Sequence, residues 1–280
     1  MERLQDAARS GRYHVSLALV YQFLGDLDPW AESAGRAVDE AERCGDERTQ
    51  GQAWALLTLE CVWSGRLLVG IERGQRAMAL LERTRQPYWL AQVSFFMAAV
   101  YLRIGAFALA AEAVARADAL GEAVGDAGVR GHASTTLAGV YLAWGKFDAA
   151  VDACRRALEL APNPFVRASA VGSLGIVYFE KGDPAQAMPL LEQAAEQMGQ
   201  FRYPYSGLYT TTLGKCYWQI GKLDQARDLA LRGLELSRQY RHGYGVALAQ
   251  RTLGRCAQAQ KDFEEARARF IEALDGFASV

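Results

Sequence analysis

Apolar positions along this chain alternate between two short-range patterns, and the alternation is itself periodic. Seven segments read alike: SLALVYQFLGDLD, LLTLECVWSGRLL, FMAAVYLRIGAFA, TLAGVYLAWGKFD, SLGIVYFEKGDPA, TLGKCYWQIGKLD and TLGRCAQAQKDFE. Each holds an apolar run, then an aromatic or small residue, then a glycine four residues on. The glycines are Gly25, Gly65, Gly105, Gly145, Gly182 and Gly221, with Lys261 in the seventh place, at spacings of 40, 40, 40, 37, 39 and 40. A period of that length marks a repeat architecture in which each unit buries its apolar face against its neighbours.

The segment before each glycine has helical periodicity. In the sixth unit Leu213, Tyr217 and Ile220 fall at i, i+4 and i+7, one stripe of a helix. The segment after it is helical too: Ala226, Ala230, Gly233 and Ser237 make a small-residue seam flanked by Leu229, Leu234 and Leu236. Between the two, glycine takes the left-handed conformation that ends a helix at little cost. Asp26, Asp183 and either Asp148 or Asp224 follow as candidate N-caps of the second helix. The expected unit is helix, tight turn, antiparallel helix. The second unit is degenerate, with Cys61 where others have tyrosine and Gly70 and Gly74 expected to loosen its second helix.

Composition narrows the class. With 280 residues, 51% of them hydrophobic, and a net charge of -1, the chain has ample apolar content to fold. No apolar run approaches a membrane span, and MERLQDAARS lacks the apolar core of a secretion signal. The five cysteines, Cys44, Cys61, Cys154, Cys216 and Cys256, are widely spaced, which argues against disulfides or a zinc site. They read as small buried hydrophobes, and the expected location is cytoplasmic.

These residues resemble the tetratricopeptide repeat. The fifth unit carries Leu174, Gly175, Tyr178, Gly182, Ala187 and Ala194; the fourth carries Leu137, Ala138, Tyr141, Gly145, Ala150, Ala157 and Pro162. The resemblance covers about residues 11 to 275 and implies an all-α, right-handed superhelical solenoid of about seven antiparallel helix pairs. Units start near 11, 51, 91, 131, 168, 207 and 247, and residues 11–280 form a single solenoid. The period exceeds the family's usual length. Residues 1–10 read as the remnant of a preceding helix or cap. Phe270, Ile271, Leu274 and Phe277 leave an apolar stripe on the last helix. Either the chain is part of something longer, or that stripe is buried in a homodimer through the C-terminal helix.

Forty-residue units with turns such as CGDERT and VGDAGV are similar to the C-terminal repeat regions of LuxR-type, maltose-activator-like bacterial regulators and of cyclase-linked ATPases. There the repeats receive a signal and restrain an effector module. Similar repeats occur in eukaryotic polarity scaffolds and in peptide-pheromone sensors. The resemblance also implies that the first helix of each unit lines a concave groove. Carried over by position, this names Arg12, Gln22, Phe23, Gln52, Trp63, Gln92, Phe95, Arg103, His132, Phe179, Glu180, Lys215, Trp218, Gln219, Arg251 and Arg255. Phe23, Trp63, Phe95, Phe179 and Trp218 are expected to lack packing duties and to serve as anchors for a peptide or partner helix.

Charge adds a gradient. Residues 201–260 hold nine Lys or Arg against three Asp or Glu, so a partner acidic toward the C-terminal repeats is expected. Nucleic acid is not, because the chain is not basic and has no motif that reads it. The chain's one asparagine, Asn163, lies between Pro162 and Pro164. The asparagine clamps of chaperone-binding relatives, and those by which pheromone sensors hold peptide backbones, therefore cannot be assembled.

Chemistry finds no foothold. His14, His132 and His242 fall in different units, and no HExxH, GxSxG or phosphate-loop spacing occurs; GLYTTTLGKC has the residues but not the spacing. Glu180 and Lys215 could meet in the groove, as an ordinary ion pair rather than a catalytic dyad. No enzyme, cofactor, metal or membrane association is expected. The favoured reading is a non-catalytic interaction module, the sensing or regulatory repeats of a larger bacterial signalling protein. The alternatives are self-association through the end faces and a stand-alone peptide-binding adaptor.

Overall fold

The computed structural model describes residues 2–278, with side chains from residue 6 onward. Among these residues there are fourteen helices and no strand. In chain order they are α1 (Glu2–Leu24), α2 (Leu27–Cys44), α3 (Glu47–Ser64), α4 (Leu67–Arg83), α5 (Pro87–Arg103), α6 (Phe107–Val124) and α7 (Ala127–Ala143), then α8 (Phe147–Leu160), α9 (Pro164–Glu180), α10 (Pro184–Gln200), α11 (Tyr205–Gln219), α12 (Leu223–Gln239), α13 (Gly243–Ala259) and α14 (Phe263–Ala278). Residues 2–10 run without a break into the first helix of the first unit.

The turn within each unit follows one rule. All six marker glycines have positive φ, from 68° to 89°, and Lys261 adopts the same conformation at 63°. At five of these glycines the amide that follows donates to the carbonyl of the residue four before the glycine. Asp26 donates to Tyr21, Ala106 to Tyr101, Lys146 to Tyr141, Asp183 to Tyr178 and Lys222 to Tyr217, at 2.8 to 3.0 Å. These bonds satisfy carbonyls that the end of a helix would otherwise leave open.

Caps are more selective than the sequence implies. Asp183 accepts from the Gln186 amide at 3.1 Å, but Asp26 makes no side-chain cap, and Asp148 and Asp224 lie one residue inside their helices. Capping aspartates appear instead at the turns between units, where Asp46 and Asp126 accept from the Thr49 and Val129 amides. Asn163 caps α9 through the Val166 amide at 3.0 Å, so the lone asparagine has a structural duty.

The small-residue seam is where helices cross. Ala226, Ala230 and Ser237 are fully buried along α12, with Leu234 beside them; Ile220, by contrast, lies at the turn and is exposed. Gly70 and Gly74 do not loosen α4. Both are buried, and a β-carbon at Gly74 would fall 2.0 Å from the Met97 sulfur, so that glycine admits the Met97 side chain from α5. The close fit needs an absent side chain.

The chain divides into two compact units, Met1–Val62 with Arg66–Val140, and Trp63–Gly65 with Tyr141–Val280. A core of the first runs through Ala91, Ala98, Val114, Ala117, Val129 and Ala133. A core of the second gathers Val171, Leu191, Met198, Tyr209 and Leu213 around the Tyr209 ring, whose hydroxyl donates to the Ser169 carbonyl at 3.3 Å.

Candidate functional site

In the first unit the groove positions fall into small polar networks. Gln52 donates to the Gln86 side-chain oxygen at 2.7 Å, and Arg48 meets the same oxygen at 3.1 Å. One repeat on, Gln92 donates to Asp126 at 3.2 Å. The Phe95 ring stacks on His132, with centroids 5.3 Å apart and planes 14° from parallel. Under that cover burial pushes the His132 pKa down to about 4, against the opposing pull of Asp126. Gln22 and Arg103 are half-buried, whereas Arg12 and Phe23 stand exposed, Phe23 at 67%.

In the second unit the groove positions converge more tightly. Lys215 from α11 lies 4.2 Å from the Phe179 ring of α9, and its ammonium donates to Glu180 at 3.0 Å. The expected meeting of Glu180 and Lys215 is thus observed. Lys215 is itself buried, and desolvation lowers its pKa, with Arg251 and Arg255 adding to the depression and Glu180 opposing it. Arg255 from α13 sits over the Trp218 ring at 5.3 Å, and Arg251 sits over Phe277 at 5.3 Å. Gln219 is exposed at the end of α11.

Two of the expected anchors are core residues. Phe179 is 6% exposed beneath Lys215, and Trp63 is 2% exposed. Trp63 groups with the second unit, where its ring meets Tyr203 edge-on with centroids 4.7 Å apart. Position within a repeat says which face a side chain leaves from, not what packs over it. Phe95 and Trp218 are half-buried beneath polar partners, and Phe23 alone of the five keeps most of its surface.

The sequence reading also missed a buried charge. Glu60, 3% exposed, receives Arg66 at 2.6 Å and Arg73 at 3.4 Å. Its neighbour Cys61 is pushed up to about 11, chiefly by burial. A lone glutamate inside the apolar run LLTLECVW was the available signal. Among the described residues no three His, Cys, Asp or Glu side chains are grouped to hold a metal ion, and no helix is long and apolar enough to cross a membrane.

Helix pairs of this length, closed by left-handed turns and repeated seven times, define an all-α repeat solenoid. Residues 205–279 and 132–164 match models of the tetratricopeptide repeat. Repeats of this type generally serve as non-catalytic scaffolds for protein interactions. No curated protein matches this sequence. Three solved structures are similar. A Rap protein complexed with Competence and Sporulation Factor aligns over 98% of this chain and 99% of its own, with TM-score 0.70 and 13% identity. The apo quorum sensor NprR from B. thuringiensis aligns over 95% and 87%, with TM-score 0.61 and 13% identity. A STAND signal-transduction ATPase with a tetratricopeptide repeat sensor, from Pyrococcus horikoshii, aligns over 98% of this chain but 41% of its own, with TM-score 0.65 and 16% identity. At such identities the likeness is one of fold.

Proposed function

We propose that this chain is a sensing or regulatory repeat module of a bacterial signalling protein, holding a segment of a protein partner along its first-helix face. The observations that carry this reading are half-buried first-helix groups within each unit: Gln52, Gln92 and Phe95 on α3 and α5 of the first, and Trp218 of α11 beneath Arg255 in the second. Aromatic surface supplies affinity for an extended segment, and amides and cations orient it. A Rap protein complexed with Competence and Sporulation Factor, a quorum sensor and a signal-transduction ATPase with a repeat sensor are built on this fold, which supports the regulatory setting. The partner is expected to be acidic toward the C-terminal repeats, the module to work in the cytoplasm, and no chemistry of its own to be involved.

The test compares capture from source lysate by the wild type and by a Phe95→Ala/Arg103→Ala variant whose helicity is intact. A protein held by the first and lost by the second supports a groove module. Identical capture by both would move attention to other surfaces.

A second reading, self-association through α14, draws on one observation. Phe263, Ile271 and Leu274 are exposed and line an open recess of about 460 Å³. Light scattering across a hundredfold range of concentration decides it, since an unchanging monomer mass would exclude a dimer.

A further inference from the structure

The first helices of the last three repeats, α9, α11 and α13, bring three cations and one carboxylate together. Lys215 and Trp218 lie one turn apart on α11, and Arg251 and Arg255 lie one turn apart on α13. The single carboxylate, Glu180, pairs with Lys215. Among the described residues neither Arg251 nor Arg255 meets a carboxylate; each guanidinium instead lies over a ring, Phe277 and Trp218 respectively. Both arginines are half-buried and close enough to Lys215 to raise the cost of its charge. Like charges held at such range repel, and an anion placed among them would relieve the repulsion.

The arrangement is specific as well as charged. A ring beneath a guanidinium fixes its plane while leaving its N–H edge open, and that edge matches a carboxylate in a two-pronged hydrogen bond. The half-buried Trp218 ring offers an apolar surface beside it. Glu180, 47% exposed on the same cluster, sets a limit: one added negative charge is welcome, while a second beside it would face Glu180.

We infer that Arg251 and Arg255 form a subsite for one acidic side chain of a partner segment, with an apolar residue of that segment on Trp218 and Glu180 restraining the affinity. This inference rests on the groove reading above and gives its partner a chemistry. It differs from capture of a chain terminus, because the proposed ligand group is a side-chain carboxylate.

The probe is a fluorescein-labelled hexapeptide alternating leucine and glutamate, amidated at its C-terminus, beside its glutamine counterpart, read by fluorescence anisotropy. The wild type should bind the glutamate peptide in preference to the glutamine one, with an affinity that falls as salt rises. Arg251→Gln/Arg255→Gln should weaken that binding at least about tenfold. Arg251→Lys/Arg255→Lys, which keeps charge but loses the fork, should fall between. Glu180→Gln should strengthen binding, roughly two- to fivefold, by removing the opposing charge. Binding that ignores the glutamates, or survives in the glutamine double variant, overturns the subsite. So does full displacement by inorganic phosphate at concentrations equal to the peptide's, which would assign the site to a free anion. A lysate protein lost by Phe95→Ala/Arg103→Ala but kept by the arginine double variant would likewise overturn it, while leaving the groove reading in place.

Discussion

Lys215 reaches across from α11 to lie 4.2 Å above the Phe179 ring of α9, with Glu180, the next residue on that helix, 3.0 Å from its ammonium. The aromatic face offsets part of the cost of burying a cation, and the carboxylate offsets more. Two consecutive residues of one repeat thus hold one residue of the next, and the contact is both packing and electrostatics.

That balance can be measured. Replacing a whole buried ion pair with apolar side chains is commonly neutral or stabilising, and here the remaining partner, Glu180, is 47% exposed and can be hydrated once the cation is gone. Lys215→Met is expected to gain about 1 kcal/mol, a rise of roughly 2–4 °C in melting temperature. Glu180→Gln leaves the ammonium without its carboxylate and is expected to cost about 1 kcal/mol, a modest figure because Glu180 is half exposed. Thermal melts of both variants decide the matter; a comparable loss in Lys215→Met would show that the cation itself stabilises the fold.

The seventh turn breaks the glycine rule at Lys261, whose φ of 63° is one that side chains with a β-carbon adopt at a cost. Lys261→Gly should therefore stabilise by about 0.5–1 kcal/mol, and Gly182→Ala, at φ 89°, should destabilise by about 1 kcal/mol or more. Urea midpoints of the two variants should move in opposite directions. Movement in the same direction would mean that the turn energies lie elsewhere.

His132 carries the clearest dependence on pH. Its pKa in the fold is about 4, below the ordinary histidine value, so the unfolded chain takes up its proton first as the medium is acidified. The stability this group contributes is present at neutral pH and is lost as pH falls from about 6.5 to about 4. His132→Gln should flatten that part of the stability profile, measured by urea unfolding at pH 7, 5.5 and 4.5. A steep profile retained in the variant would assign the acid sensitivity to other groups.

Thiol reactivity should divide the cysteines. Burial pushes Cys154 and Cys216 up to about 12 and Cys61 to about 11, whereas Cys44 is half-buried near a helix end. Because the thiolate is the reactive form, iodoacetamide at pH 8 should label Cys44 first in the native protein and the others only on unfolding. Mass spectrometry after a timed exposure reads this directly, and early labelling of Cys154 would contradict the burial described here.

The repeat was legible because its cause is local. A glycine at a left-handed turn, tyrosines four residues before it and a stripe of small residues after it each act within one unit, so the seven turns and fourteen helices follow from the linear pattern. The ion pair between Glu180 and Lys215 was legible for the same reason, being a contact between adjacent repeats in register. Exposure was not. Trp63 and Phe179 occupy first-helix positions like those of Phe95 and Trp218, yet Tyr203 covers one and Lys215 the other. Nor could the spacing show that Gly74 makes room for Met97, or that Arg251 and Arg255 rest on rings without a carboxylate beside them among the described residues. The sequence by itself determined the helices, their turns and the face from which each side chain departs, since these depend on backbone preference and short-range periodicity. Only the tertiary structure decided which of those side chains meet water, because burial depends on what residues distant in the chain bring to the same place.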